Sequence, residues 1–311
     1  MNHRYQIGIK YFLVAASAGI LLLPLILYGW LHFIRPPRTT QERALFQGIV
    51  YKREVHSTPR PLIIHIVSVD LSSPGVKALV TPGTSTSKKT EIPTEIDART
   101  TSEFLQEFKL QFAVKGGFFY RFREVTPWDY YPHSGDSVNV VGQAISNGSA
   151  YSEPEPKLPV LCFNTSKGSY RAQILGGKDC PQGTVHALAG NNLLIERGNP
   201  VGLTLKAHDT DRPYPRVAVG IDKAGEKLWF VAIDGKQPLY SEGATIAELT
   251  KVILDLGADW AINLDGGGST TLVAATPSGT SLLNSPIQAK LPMNERSVGN
   301  HIGFYALPSD K

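Results

Sequence analysis

The run Ala261-Ile262-Asn263-Leu264-Asp265-Gly266-Gly267-Gly268-Ser269-Thr270-Thr271-Leu272-Val273 constrains this chain more than any other stretch. Apolar residues lead into an Asp, three consecutive glycines follow, and a second apolar run resumes after three hydroxyl-bearing side chains. Adjacent glycines free the backbone to reach positive φ and to approach another group closely. Asp265 therefore ends a strand where the chain bends, either as a carboxylate placed for chemistry or as the cap of its own tight loop. Just upstream, residues 245–258 set Ile246, Leu249, Val252 or Ile253, and Leu256 on one face at helical spacing, with Gly257 at the stop position. The local plan is helix, strand, then glycine-rich turn.

Turn residues are frequent throughout, with 29 Gly and 22 Pro between short β-branched runs. That pattern predicts a strand-rich α+β fold, one domain with a mixed sheet and a few helices, rather than a helical bundle. A formal net charge of +4 is modest and scattered, and no block of Lys and Arg interleaves with aromatics, so nucleic acid is excluded as a partner. The two cysteines, Cys162 and Cys180, match neither a metal pattern nor a C-x-x-C pair. They either pair, if the domain lies outside the cytoplasm, or stay as two buried thiols.

At the N-terminus a short basic segment, residues 1–10, precedes residues 11–34, which run almost without charge and are long enough to span a bilayer. Tyr28, Trp30 and His32 suit an interfacial belt. No small-x-small cleavage site follows; Arg35-Pro36-Pro37-Arg38 does. This reads as an uncleaved signal anchor that places a C-terminal domain outside and associates the chain with a membrane. Residues 35–47 read as a polar linker, and the folded domain as residues 48–311.

Within the domain, residues 62–71 form a strong strand, with residues 76–81 alternating like its neighbour; residues 84–94 form a polar loop, and residues 101–108 a short helix capped by Thr100 or Thr101. A strand over residues 112–115 then ends in a second glycine pair, Lys115-Gly116-Gly117-Phe118-Phe119, followed by the aromatic, polar stretch Trp128-Asp129-Tyr130-Tyr131-Pro132-His133. Aromatic faces beside Asp and His suit a sugar ring, or else fold into a self-contained surface loop. Two further strands, led by Arg216 and ending at Asp234, form a hairpin turning at residues 222–227.

Five segments in order, Gly116-Gly117-Phe118-Phe119, Arg216-Val217-Ala218-Val219-Gly220, Asp234-Gly235-Lys236-Gln237 with Ser241-Glu242-Gly243, Asn263-Leu264-Asp265-Gly266-Gly267-Gly268-Ser269, and Glu295-Arg296-Ser297-Val298-Gly299-Asn300, resemble the phosphodiester glycosidase family. They are also similar to bacterial proteins described as exopolysaccharide-related. The resemblance covers residues from about 50 to the end and implies an α+β domain that hydrolyses a sugar-1-phosphodiester at the sugar C1–O bond. Three positions depart from the pattern. Lys115 stands where the family usually has Asn, Val217 where Thr is frequent, and Lys236 where Arg is common.

Such a reaction builds positive charge on the sugar ring while a phosphate monoester leaves, so it needs donors for the phosphate and a carboxylate for the ring or the attacking water. Asp265 is the expected key carboxylate, with Asp234 or Glu242 as a second. Arg216 and Arg296 can grip phosphate bidentately, and Gly266, Gly267, Gly268 and Ser269 can aim backbone N–H groups at it. Lys115, Gly116, Gly117, Phe118, Phe119, Trp128, Asp129, His133 and Asn300 are the expected substrate contacts. A divalent cation at Asp265 is left open, since the chain shows no dense carboxylate or His cluster. The expected partner is a glycan or sugar-phosphate of envelope or exported material. Two other readings share the sequence: a noncatalytic glycan-binding or assembly protein, and a phosphodiesterase that cuts on the phosphorus side.

Overall fold

The computed structural model describes residues 3–84, 95–166, 168–201 and 212–309, so most of the loop expected over residues 84–94 lies outside the described residues. The domain is a strand-rich α+β fold, and its central sheet has eight strands. In spatial order these are Gln41–Phe46, Ile49–His56, Leu62–Asp70, Lys227–Ile233, Arg216–Ile221, Trp260–Leu264, Asn192–Glu196 and Asn199–Pro200. A five-stranded sheet runs Gly279–Leu282, Leu272–Thr276, Phe112–Lys115, His301–Tyr305, Lys77–Val80, and a further five-stranded sheet includes Val160–Ser166 and His186–Ala189.

The core lies between these layers because strands buried on both faces read as unbroken apolar runs. Phe112, Phe163, Phe230 and Phe304, from three sheets, meet in it with ring centroids 5.6 to 6.4 Å apart. On the opposite face of the central sheet the helix Ile246–Asp255 buries Ile246, Leu249 and Ile253 against Ile64, Ala218, Val231 and Ile233. A capping box between Thr245 and Glu248 starts it, and Gly257 at φ +90° takes the left-handed turn that ends it, as the sequence predicts. The short helix Thr101–Glu107 carries the same device in Thr100 and Glu103 and packs Phe104 and Leu105 on the second sheet.

Two sequence expectations change. The segment 76–81 is not the neighbour of 62–71; Lys77–Val80 pairs with His301–Tyr305, while Leu62–Asp70 is flanked by Ile49–His56 and Lys227–Ile233. Alternation identifies a strand, but the pairing partner is chosen by the two-layer core. The expected linker is also shorter than residues 35–47, because Gln41–Phe46 pairs antiparallel with Ile49–His56 as the edge strand of the central sheet. Its side chains are mostly solvent-facing, and backbone hydrogen bonds rather than an apolar pattern hold it. Even residues 35–39 are fastened. The Arg35 guanidinium stacks 4.1 Å over Tyr240, Arg38 donates to the carbonyls of His56 and Leu239, and Arg53 donates to the Thr39 carbonyl at 2.8 Å.

The N-terminal helix His3–Phe33 contains Pro24 and leaves Ala16–Phe33 unburied, a stretch long and apolar enough to cross a membrane. Cys162 and Cys180 form a disulfide closing a sequence separation of 18. In the chain-entropy description such a loop stabilises by about 3 kcal/mol. Cys180→Ser is expected to lower the urea unfolding free energy by about that amount, with wild-type protein in reductant falling to the same value.

Candidate active site

Three chain segments deliver the site to one end of the layers. Lys115 closes the strand Phe112–Lys115, Asp265 follows Trp260–Leu264, and Arg216 opens Arg216–Ile221. The sheets are joined there by the backbone: the Asp265 N–H donates to the Gly116 carbonyl at 3.3 Å, and the Gly116 N–H to the Asn300 carbonyl at 2.9 Å. Close approach explains both glycines of that pair. A Cβ on Gly117 would lie 2.3 Å from the Ala189 carbonyl oxygen, and one on Gly116 3.0 Å from Asn300 Oδ1.

At this end a cavity of about 370 Å³ is lined by Asp265 to Gly268, Phe118, Arg212, Tyr214, Arg216, Arg296 and the asparagines 191, 192 and 263. That size falls among ordinary small-molecule sites. Among the described residues Asp265 is the only acidic one lining it, against three arginines. Behind it Lys115 is fully buried, with Nζ 3.5 Å from Asp265 Oδ2 and hydrogen-bonded to the Gly117 carbonyl. Burial brings the Lys115 ammonium down to about 8, a shift that Asp265 partly opposes.

Arg296 is oriented from several sides. Its Nε donates to Gln288 Oε1 at 2.6 Å, an Nη donates to Ser269 Oγ at 3.4 Å, and the guanidinium lies 4.5 Å over Phe122 and 5.7 Å over Tyr130. Burial lowers its pKa, opposed by the Asp265 charge, and it stays a cation. Arg216 donates from Nε to the Ala244 carbonyl at 3.1 Å. The Tyr214 ring is the hub of a cationic wall, with Lys236 Nζ 4.1 Å, Arg212 5.2 Å and Arg216 5.4 Å from its centroid.

The triple glycine forms a 3₁₀ turn, Gly267–Ser269, with Gly267 at φ +66°. Its backbone is less available to a ligand than the sequence suggests, because the Gly267 N–H donates to the Pro215 carbonyl and the Ser269 N–H to the Gly266 carbonyl. Gly268 has a different reason to be glycine: a Cβ there would lie 2.3 Å from an Arg296 Nη. Gly268→Ala is expected to push the guanidinium aside and, by costing one charge-assisted hydrogen bond to a bound anion, to raise KM about tenfold with little change in kcat.

The structure therefore brings together Asp265, Arg216, Arg296, Gly266, Gly267, Gly268, Ser269, Lys115, Gly116, Gly117, Phe118, Phe119 and Asn300 at one end of the sheets. It places five other expected residues outside the cavity lining, among them the exposed Trp128. Asp234 is buried in a structural network, its carboxylate bound by His65 Nε2 at 2.9 Å, Asn284 Nδ2 at 2.9 Å and the Ser285 N–H. Glu242 is exposed and does not line the cavity. Asp129 and His133 pair with each other at 2.6 Å, and His133 also meets Asp136 at 3.3 Å, so their polar atoms are engaged away from the cavity. Neither expected second carboxylate lines the cavity, where Asp265 is the one carboxylate among the described residues. The residue types looked right, but hydrogen-bond partners far apart in sequence consume Asp234. Conversely, sequence reasoning missed Arg212, Tyr214, Asn191, Asn192, Asn263 and Gln288. The Tyr214-Pro215 lead into the Arg216 strand was the one available signal, since a Pro there fixes the entry of that strand. Asn263 gave no such signal: among the described residues its Oδ1 is buried without a hydrogen-bond partner, while its Nδ2 donates to Asn191 Oδ1 at 2.7 Å.

Among the described residues no group of three or more His, Cys, Asp or Glu side chains is placed to share a metal ion.

A strand-rich domain that gathers Asp265 and several arginines in a single cavity defines a cation-rich site suited to an anion. The phosphodiester glycosidase family model matches residues 108–305, and the chain belongs to that family. Among solved structures it is similar to a hypothetical protein from Synechocystis (16% identity, TM-score 0.59), covering 88% of this chain and 64% of that one. A putative exported protein of Burkholderia pseudomallei is similar at 15% identity and TM-score 0.57, over 80% of this chain and 74% of that one. So is the catalytic domain of zebrafish N-acetylglucosamine-1-phosphodiester alpha-N-acetylglucosaminidase, auto-inhibited by its pro-peptide, at 20% identity and TM-score 0.57, over 91% of this chain and 93% of that one. These likenesses are of fold. No curated protein matches the chain.

Proposed function

We propose that this protein hydrolyses the C1–O bond of a sugar-1-phosphodiester, and that it does so outside the cytoplasm from a single membrane anchor. The observation that carries the reading is the pairing of one carboxylate, Asp265, with Arg212, Arg216 and Arg296 in the same cavity. The arginines hold the phosphate, and Asp265 faces the anomeric carbon, where positive charge grows as the bond to the phosphate oxygen breaks. The electron pair leaves with the phosphate, water supplies hydroxide to C1, and its proton passes to Asp265 or to solvent. A phosphate monoester is a weakly basic leaving group, so one carboxylate suffices where most glycosidases need two. The Lys115 ammonium lies beside Asp265, and the open Asn263 Oδ1 accepts from a sugar hydroxyl. The unburied apolar helix and the Cys162–Cys180 disulfide support an exported, anchored domain.

Glycan binding without turnover is the second reading, favoured by Lys115, whose ammonium partly neutralises Asp265. Incubating the full chain with sugar-1-phosphodiesters and resolving products by mass spectrometry, with and without chelator, tests both. Free sugar plus a phosphomonoester supports the glycosidase; a sugar phosphate means cleavage on the phosphorus side. Substrate left intact across several sugars selects the binding role.

A further inference from the structure

A second cavity, of about 740 Å³, opens where the N-terminal helix joins the domain. Ile34 and Arg35, the first residues past the apolar stretch Ala16–Phe33, line it together with Arg43, Tyr51, Arg53 and Glu295. Among the described residues none of the three arginines is paired with a carboxylate. Arg53 is only 3% exposed, and it donates to the Thr39 carbonyl and hydroxyl. Arg35 donates to the His32 carbonyl and to Gln237 Oε1, and Arg43 lies 5.9 Å over the Tyr51 ring. All of these partners are neutral. Glu295 is held by Ser102, which donates its N–H at 3.0 Å and its hydroxyl. A guanidinium taken out of water without a counter-charge is costly, so this lining suits an anion that the protein does not itself supply.

We infer that the cavity holds the phosphate of an anionic phospholipid headgroup and so fixes the domain against the bilayer. The inference rests on the membrane anchor proposed above, and not on the hydrolysis. Because Ile34 and Arg35 directly follow the apolar stretch, an inserted chain places the cavity in the headgroup layer, about 6 Å deep on each side of a bilayer. Arginines at that level meet lipid phosphate, and Leu282 and Met293 give the cavity apolar walls for the glycerol end. The junction is held to the domain: the Tyr240 hydroxyl donates to the Pro36 carbonyl at 2.9 Å, and Arg38 donates to the Leu239 carbonyl. Two exposed leucines gather at the same place, Leu239 beside Arg38 and Leu291 on the strand Leu291–Pro292, which lies against the helix. Cations and bare apolar side chains together at a helix exit suit a membrane surface. The central sheet carries this level across to the other cavity. Arg53 pairs with His65, His65 with Ala232, Ala232 with Val217, and Val217 with Leu264, the residue before Asp265. Four strand spacings separate Arg53 from Leu264, about 19 Å. A headgroup bound at the arginines therefore keeps the end of the sheet that carries Asp265 beside the bilayer.

The full chain is first floated with phosphatidylcholine vesicles. It is then moved into detergent and titrated with phosphatidylglycerol, phosphatidylcholine or inorganic phosphate, with retained lipid counted by native mass spectrometry. Arg43→Gln is the informative variant, because Arg43 is exposed and its removal leaves the fold intact. Lys77→Gln removes the same charge from an exposed strand position and serves as the control. Expected is one phosphatidylglycerol retained per chain, bound about tenfold more weakly by Arg43→Gln, the scale of one charge-assisted hydrogen bond, and unchanged in Lys77→Gln. Equal retention of phosphatidylcholine, an unaltered Arg43→Gln, or the same loss in Lys77→Gln overturns the site. Displacement of the lipid by an equal concentration of inorganic phosphate also overturns it, giving the arginines to a free anion. A chain that fails to float sinks the anchor and the site together, whereas one that floats without preferring phosphatidylglycerol sinks the site alone.

Discussion

Asp265→Asn is expected to lower turnover of a sugar-1-phosphodiester by about a thousandfold or more, the scale of losing a group that stabilises transition-state charge. The amide keeps the shape of the carboxylate and its place after the strand Trp260–Leu264, so secondary structure and phosphate affinity are retained. What it removes is the one negative charge that the described residues bring to a cavity furnished with arginines. The buried Lys115 loses its counter-charge in this variant and responds by releasing its proton more readily, which limits the cost to folding. Initial rates with the wild type and Asp265→Asn, beside their circular dichroism spectra, check the outcome. A variant that is folded and equally active would remove Asp265 from the chemistry and, with it, the proposed mechanism.

Lys115→Met is expected to separate stability from activity. A fully buried lysine whose folded-state pKa is depressed to about 8 from 10.5 binds its proton less tightly in the native protein than in the unfolded chain. Between those two values the unfolded chain carries the extra proton, so native stability from this group rises as pH climbs through the window and is flat below it. The difference amounts to about 3 kcal/mol. At pH 7 the wild type bears that penalty in full, and Met, which fits the apolar strand interior, does not. Lys115→Met is therefore expected to be more stable than wild type near pH 7, with the gap closing as pH rises from about 8 to 10.5. Activity moves the other way. Without the ammonium beside Asp265, turnover falls about a hundredfold, the scale of a removed charge-assisted contact. The wild-type activity also falls above about pH 8 as Lys115 deprotonates, and the variant lacks that limb. Denaturant melts and pH–rate profiles of both proteins read each effect, and a Met variant that retains full activity would make Lys115 a passive replacement for the asparagine usual in the family.

Much of this molecule is legible in the chain itself. Apolar periodicity set the helix Ile246–Asp255 together with its Thr245 cap and Gly257 stop, because caps and stops are local hydrogen-bond and φ problems. The run from Ala261 to Val273 marked a strand, a bend and a carboxylate, and the apolar length of residues 11–34 marked a helix long and apolar enough to cross a membrane. Tertiary structure alone decided which polar groups were already spent. Asp234 and Asp265 both precede glycine after an apolar run, yet His65, Asn284 and Ser285 enclose the first while the second opens on a cavity. It also decided that Gly268 is small for the sake of Arg296, that Tyr214 gathers three cations, and that Phe122 and Tyr130 carry the same arginine. Each of these depends on residues far apart in sequence meeting at one point, and a linear pattern holds no record of such a meeting until two sheets have packed.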